Sequence, residues 1–149
     1  MTALFKLDIV SAEASLYTGQ ARFVMAPLAE GDAGFLPGHS QLLGQLRPGA
    51  LRIEDEAGAE HMFFVSGGFV EVQPDWIVVL ADSSQRAADI DEARAQEAVA
   101  RAQDALAAKA DLVNYAAAEA ELAEAVARLQ VVRHYVRRQQ PDYRPDRSR

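Results

Sequence analysis

Residues Phe63 to Asp82, FFVSGGFVEVQPDWIVVLAD, read as paired strands and leave no room for a helix. Two apolar runs rich in β-branched and aromatic residues, Phe63 to Val72 and Trp76 to Leu80, flank Gln73-Pro74-Asp75, which has turn chemistry. The reading is a β-hairpin. In its first arm Phe69, Glu71 and Gln73 alternate with Val70 and Val72, the period of two expected of a strand with unlike faces. Gly67-Gly68 interrupts that arm, and a glycine pair inside a strand marks a bulge or a close approach of another backbone.

Upstream, Phe5, Leu7 and Ile9 face one way while Lys6 and Asp8 face the other, a half-buried first strand over Leu4 to Val10. Ser15 to Gly19 and Arg22 to Ala26 give two further short segments, the second ended by Pro27. Glu30 to His39, with three glycines and a proline, reads as a loop; it lacks the Lys-Ser/Thr pair of a phosphate loop. Gln41 to Leu46 resumes strand character, Arg47-Pro48-Gly49 turns it, and Ala50 to Glu54 runs into a hairpin at Glu56-Ala57-Gly58. Short strands at regular spacing with turn signals between them predict an antiparallel sandwich or barrel over residues 1–85.

Past Asp82 the composition turns to Ala, Glu, Gln and Arg, all strong helix formers. Asp89 with Glu92 three residues on reads as an N-cap and its capping-box partner, predicting a first helix from Ile90 to Lys109. After a break at Asp111 to Asn114, Tyr115, Ala118, Leu122, Ala125, Leu129, Val132 and Val136 recur at alternating three and four, a coiled-coil type seam. Two such helices make an antiparallel hairpin over residues 86–138. Its first helix offers mainly Ala95, Ala98, Ala102 and Ala105 to that seam, backed by Val99 and Leu106, so docking should be weak at about 0.8 kcal/mol per buried methylene. A segment that keeps helicity alone and gains little from docking is suited to move, although on these grounds alone a static helical pair is the favoured reading.

The fold class is therefore α+β. Half of the 149 residues are hydrophobic and a quarter charged, ordinary for a globular chain, and the absence of cysteine excludes disulfides, thiolate metal sites and cysteine nucleophiles. Neither a signal peptide nor a membrane span is expected, since Lys6 and Asp8 follow the N-terminus closely and no apolar run is long enough. The net charge of -7 is unevenly spread: residues 1–85 hold 4 Lys/Arg against 11 Asp/Glu, residues 86–127 hold 4 against 9, and residues 128–149 hold 7 against 2. An acidic body argues against nucleic acid, and a basic end asks for an acidic partner. Pro141, Pro145 and alternating charge predict a disordered tail over 139–149.

No catalytic constellation emerges. His39, His61 and His134 are far apart in sequence without a second ligand at metal spacing, and Ser40 beside His39 is no triad, because sequence neighbours do not point a base at a nucleophile. The residues favour a binding or adaptor module over an enzyme; no metal and no cofactor are expected.

Several motifs carry a resemblance. Val10-Ser11-Ala12-Glu13, Glu30-Gly31-Asp32 with Gly34, Leu36-Pro37-Gly38-His39, Leu42-Leu43, Arg47-Pro48-Gly49, Val65 to Phe69, Glu71 to Pro74, Val79 to Asp82 and Ile90 to Ala95 stand in the order found in the epsilon subunits of bacterial F-type ATP synthases. The chain resembles that family from Leu4 to Arg138. The resemblance implies a flattened β-sandwich that binds the gamma subunit and rests on the ring of c subunits, in a non-catalytic rotor coupling proton flow to ATP synthesis. It places the protein peripherally, at the cytoplasmic face of the bacterial inner membrane. It implies that Glu30 to His39 faces the ring and gamma, with Asp32 and His39 as contacts. It implies too that the helical hairpin folds on the sandwich or extends into the catalytic head of alpha and beta subunits, restraining ATP hydrolysis through Arg128, Arg133, Arg137 and Arg138.

Ile90-Asp91-x-x-Arg94-Ala95 also fits the element with which some members of that family bind ATP, and Arg128 would complete the site here. Gln85, however, stands where such members have Glu, and Ala117 and Glu124 where they have Arg, so only weak ATP binding is implied. The competing reading is a free-standing β-sandwich enzyme or small-ligand module that shares only the fold.

Overall fold

A computed structural model describes residues 3–108 and 112–140. Nine strands come first: β1 Phe5–Ser11, β2 Ser15–Leu28, β3 Gly31–Phe35, β4 Leu42–Leu46, β5 Gly49–Asp55, β6 Glu60–Val65, β7 Gly68–Val72, β8 Trp76–Ala81 and β9 Ser84–Arg86. A 3-10 turn, Ala87–Asp89, leads to helices α1 Glu92–Ala107 and α2 Leu112–Arg138. The predicted tail past Gln140 and the predicted helix end at Lys109 lie outside the described residues.

The sheet order is β1-β8-β7-β4-β2-β5-β6-β9, with β3 on β2 and β1 also pairing β2, so the strands close into a flattened barrel. Every pairing is antiparallel except β1 with β8, which run parallel from Lys6↔Trp76 to Ser11↔Ala81. That exception departs from the all-antiparallel expectation: β1 lies between β2, its antiparallel neighbour in the chain, and β8, a strand far from it in sequence that no tight turn joins to it.

The interior is built by alternation. Phe5, Leu7 and Ile9 are all at most 1% exposed, and Val70 and Val72 are at 0%, while Phe69 between the two layers of alternation points outward at 51%. The core continues through Val24, Phe35, Leu51, Ile53, Phe63, Ile77 and Val79. Strand β6 breaks the alternation. Met62, Phe63, Phe64 and Val65 are all buried, Phe63 and Val65 in the sandwich interior and Met62 and Phe64 in a second cluster on its outside. An unbroken apolar run is what a strand covered on both faces requires.

Four expectations are corrected here. Phe63 to Val72 is two strands, not one arm: the chain leaves β6, paired with β5 and β9, and enters β7, paired with β4 and β8. The crossing occurs at Gly67 (φ +136°) and Gly68 (φ +122°), a backbone region closed to other residues. The segments 15–19 and 22–26 are one strand, β2, which runs through Pro27; its register with β5 shifts between Ala21 and Phe23, and this bulge absorbs what looked like a break. The stretch 30–39 contains β3, which pairs with β2 from Val24↔Phe35 to Leu28↔Gly31. Helix α1 is capped by Asp91, whose side chain accepts from the Arg94 N–H at 3.1 Å, not by Asp89, which the 3-10 turn has consumed.

Gly68 shows how tight the crossing is. A Cβ there would lie 2.0 Å from the Leu80 carbonyl oxygen, a backbone atom that β7–β8 pairing holds in place. Gly68→Ala is expected to destabilise the chain by on the order of 3 kcal/mol, combining left-handed strain with the clash. Gly19→Ala, where the added atom meets only the flexible Tyr17 ring at 3.4 Å, should stay within about 1 kcal/mol. Urea unfolding of the two variants checks this; equal midpoints would contradict it.

The helices form an antiparallel pair docked on the outside of β5 and β6. Ala95, Ala118 and Ala125 are buried at the predicted seam, but Tyr115 (44% exposed) and Val136 (41%) are not, so the seam is shorter than its period. The attachment is also more than an alanine seam. Leu129, Val131 and Val132 of α2 join Met62, Phe64, Ala87, Ile90 and Ala95 in the second cluster, so the hairpin is held to the sandwich by branched aliphatic side chains. The sequence pattern sees a helix's contact with its neighbour in the chain; it does not see the one with a distant strand.

Candidate functional site

Three surfaces carry the residues singled out in the sequence. The first is the edge of the sandwich. Asp32 is ion-paired with Arg47, across the β2–β3 pairing where Pro27 faces Asp32. His39 packs edge-on against Phe35, ring centroids 5.1 Å apart, with Nδ1 2.7 Å from the Ser40 carbonyl. The Gly38 N–H donates to the Pro74 carbonyl at 2.7 Å, tying this loop to the β7–β8 turn. Asp32 and His39 therefore sit at opposite ends of β4, and the structure does not bring them together. Between them lies what the sequence reading missed. Leu43 (72% exposed), Phe69 (51%) and Leu80 (50%) point outward from adjacent strands β4, β7 and β8. Phe69 lies directly opposite Leu80, which is in register with Val10 of β1. Leu43 is diagonal to Phe69, because the register sets Leu43 opposite Glu71 and Gln45 opposite Phe69. Exposed apolar side chains gathered on one sheet face mark an interaction surface more than single exposed residues do. The signal was present in the outward phase of the alternation, which places Phe69 beside Glu71.

The second surface is the groove where the sandwich meets the helices. Ile90, Asp91, Arg94, Ala95 and Arg128 are brought together around one cavity of about 200 Å³, also lined by Gln85, Asp89 and Ala98. Most of these residues have a structural occupation. Ile90 and Ala95 are buried in the second cluster, and Asp91 caps α1. Gln85 Nε2 donates to the Asp89 carbonyl at 3.4 Å. Arg128 lies over the Phe64 ring at 4.7 Å and 3.6 Å from Glu124, so the cation that would meet a phosphate is already engaged by a π-face and a carboxylate. Ala117, on the exposed side of α2, adds no cation.

The third surface is the basic end of α2. Arg128 pairs with Glu124, Arg133 Nε lies 3.2 Å from Glu92, and Arg138 is bridged to Glu60, so three of the four arginines meet acids of the same chain in this docked arrangement. Arg137 stands exposed in the last turn. Each pair is part-exposed and contributes roughly 0–1 kcal/mol. Among the described residues no group of three or more His, Cys, Asp and Glu is placed to hold a metal ion, and no helix is long and apolar enough to cross a membrane.

A β-sandwich followed by long α-helices is the domain order of the ATP synthase delta/epsilon chains. Residues 4–87 match the family model of the ATP synthase delta/epsilon chain β-sandwich domain, and residues 88–133 match that of its long α-helix domain. The chain belongs to this family, as an epsilon chain. It is 51% identical over 132 residues to the ATP synthase epsilon chain of Alkalilimnicola ehrlichii, covering 89% of this chain and 94% of that one. It is 50% identical over 133 residues to that of Thioalkalivibrio sulfidiphilus, with the same coverage of 89% and 94%. Among solved structures, a chain of the Euglena gracilis mitochondrial ATP synthase superposes with a TM-score of 0.76 at 22% identity, covering 84% of this chain and 79% of that one. A chain of the Tetrahymena thermophila mitochondrial ATP synthase central stalk and c-ring gives 0.60 at 14%, covering 86% and 96%. At such identities the likeness is one of fold.

Proposed function

We propose that the chain is a non-catalytic subunit of the ATP synthase rotor, seated peripherally at the cytoplasmic face of a bacterial membrane. The sandwich binds gamma and rests on the c-ring, passing proton-driven rotation of the ring to gamma; the hairpin, when extended toward the alpha and beta subunits, restrains ATP hydrolysis. The observation that carries this reading is the row of Leu43, Phe69 and Leu80, an apolar face on a sandwich whose interior is already complete without it. The printed name of the curated relatives, ATP synthase epsilon chain, supports this reading. Asp32, with Arg47, and His39, with the exposed Leu36 beside it, would then contact gamma and the ring at two separate places. Membranes from the source organism depleted of this chain should lose proton-coupled ATP synthesis and regain it when the purified chain is added back. Synthesis that is unaffected by depletion would contradict the proposal.

A regulatory nucleotide is a secondary element of the reading. Ile90, Asp91, Arg94, Ala95 and Arg128 line one cavity, but Arg128 is engaged by Phe64 and Glu124, and Gln85 supplies no carboxylate. Each charge-assisted bond that is missing forgoes roughly 1.5–3 kcal/mol. ATP is therefore expected to bind the isolated chain with a Kd of about 1 mM, or roughly -4 kcal/mol. Titration calorimetry giving a micromolar Kd would refute the weak site.

A further inference from the structure

The end of α2 touches the sandwich through charges. Glu60 of β6 is bridged on one side to Arg138 of α2 and on the other to Arg52 of β5, Nη1 to Oε1 3.6 Å. Glu54, opposite Glu60 in the β5–β6 register, is matched by Arg22 of β2 at 3.7 Å. What remains at the contact is one carboxylate facing two guanidinium groups, with Arg137 close by on the helix. His134 is half-buried in this setting, one helical turn before Arg138, so the two side chains share a face.

We propose that this cluster is a proton-operated latch: protonating His134 adds a further cation to a contact already short of anions and releases the end of α2 from the β5–β6 hairpin. The physical basis is the comparison of docked and released helix. Arg137 and Arg138 accompany His134 in both states, since they belong to the same helix. Docking adds burial against the sandwich and the field of Arg52, and only Glu60 opposes them. Burial foremost, then Arg138, Arg52 and Arg137, hold the docked imidazole below its ordinary range. A depressed value in the docked state means docking is fully stable above the higher value His134 has on the released helix. It is lost progressively as the pH falls from there through the docked value. Acidification thus favours release; alkali favours docking.

His61, on the same hairpin, does not serve as the sensor. Its Nε2 lies 2.8 Å from Asp55 Oδ2, and Asp55 also accepts from the Ala57 and Ala59 N–H groups at 2.9 and 2.8 Å. His61 is thus engaged by a carboxylate of its own hairpin, not by a charge on α2.

The absence of native cysteine makes a distance measurement direct. Spin labels on Ala57→Cys, at the tip of the β5–β6 turn, and Gln140→Cys, just past α2, report docking in the isolated full-length chain by pulsed electron resonance. Between pH 8 and pH 5.5 the released-to-docked ratio should rise roughly threefold or more, mostly below pH 6.5. His134→Gln, neutral throughout, should abolish the rise, and His61→Gln should leave it intact. A ratio constant with pH, a full response in His134→Gln, or no short distance even at pH 8 would each overturn the latch. No ATP hydrolysis enters this measurement, so its failure leaves the rotor and brake reading to its own tests.

Discussion

Removing residues 90–149 is expected to raise ATP hydrolysis by the assembled complex on the order of fivefold, within the 1–3 kcal/mol range usual for a regulatory coupling. The truncated sandwich should fold, because its interior, from Phe5 through Val79, is closed without the helices; Met62 and Phe64 become exposed, as an added solubility burden. The increase follows if the extended hairpin grips the catalytic head through Arg128, Arg133, Arg137 and Arg138. When docked, Arg138 meets Glu60 of the sandwich and Arg133 meets Glu92 of α1, while Arg128 keeps Glu124 of its own helix in either state, so extension would exchange acids of this chain for acids of another at little net cost. Replacing all four with Ala should reproduce part of the increase, most visibly at low salt, where screening is weakest. A variant of opposite sign separates the brake from mere loss of structure. Phe64→Ser removes a ring that is buried only when the hairpin is docked, weakening docking by about 3 kcal/mol or more while leaving α2 itself unchanged. It should populate the extended form and slow hydrolysis. Hydrolysis no faster in the truncated complex than in the intact one would remove the brake from the account.

The second large effect is expected at the sandwich face. Phe69→Thr with Leu80→Thr keeps strand propensity and replaces side chains that are half-exposed, so stability should change by no more than about 1 kcal/mol. Binding to gamma should nevertheless weaken about 100-fold, or roughly 2.7 kcal/mol, the loss typical when the apolar centre of an interface is truncated. The two residues face each other across β7–β8, with Leu43 on the strand beyond, and any flat partner covering one covers the others. Native affinity in the double variant, by calorimetry against purified gamma, would mean that this row is not the interface.

Much of this was readable from residue order, and the failures have physical causes. Alternation in 5–9 and 69–72 assigns inward and outward faces correctly, and the glycine pair at 67–68 leaves a bulge and a close backbone approach both open, of which the structure shows the second. That the approach is a crossing between layers was not legible, since hydrophobic period is blind to which strand a strand will pair with. β2 was divided because a bulge and Pro27 both imitate a strand end in sequence. Asp89 reads as the helix cap because Glu92 stands three residues on, whereas Asp91 has Arg94 there and offers no capping box; the 3-10 turn over Ala87–Asp89 and the buried Ile90 move the true cap to Asp91. For the candidate sites, the motif Ile90-Asp91-x-x-Arg94-Ala95 was visible, but not that packing and capping already employ most of it. The run Met62 to Val65 held the clue to the docked hairpin: four consecutive buried residues need cover on both faces, and the second cover is α2.

The central claim is that the sandwich is a docking body for the rotor shaft, and the most direct test is its affinity for the gamma subunit of its own source. Calorimetric titration of the purified full-length chain into that gamma subunit should give one-to-one binding with a Kd below about 1 µM, equivalent to more than roughly 8 kcal/mol. A titration without heat at several temperatures, together with no co-elution of the two proteins, would contradict the account and leave the chain as a sandwich that shares only the family's fold.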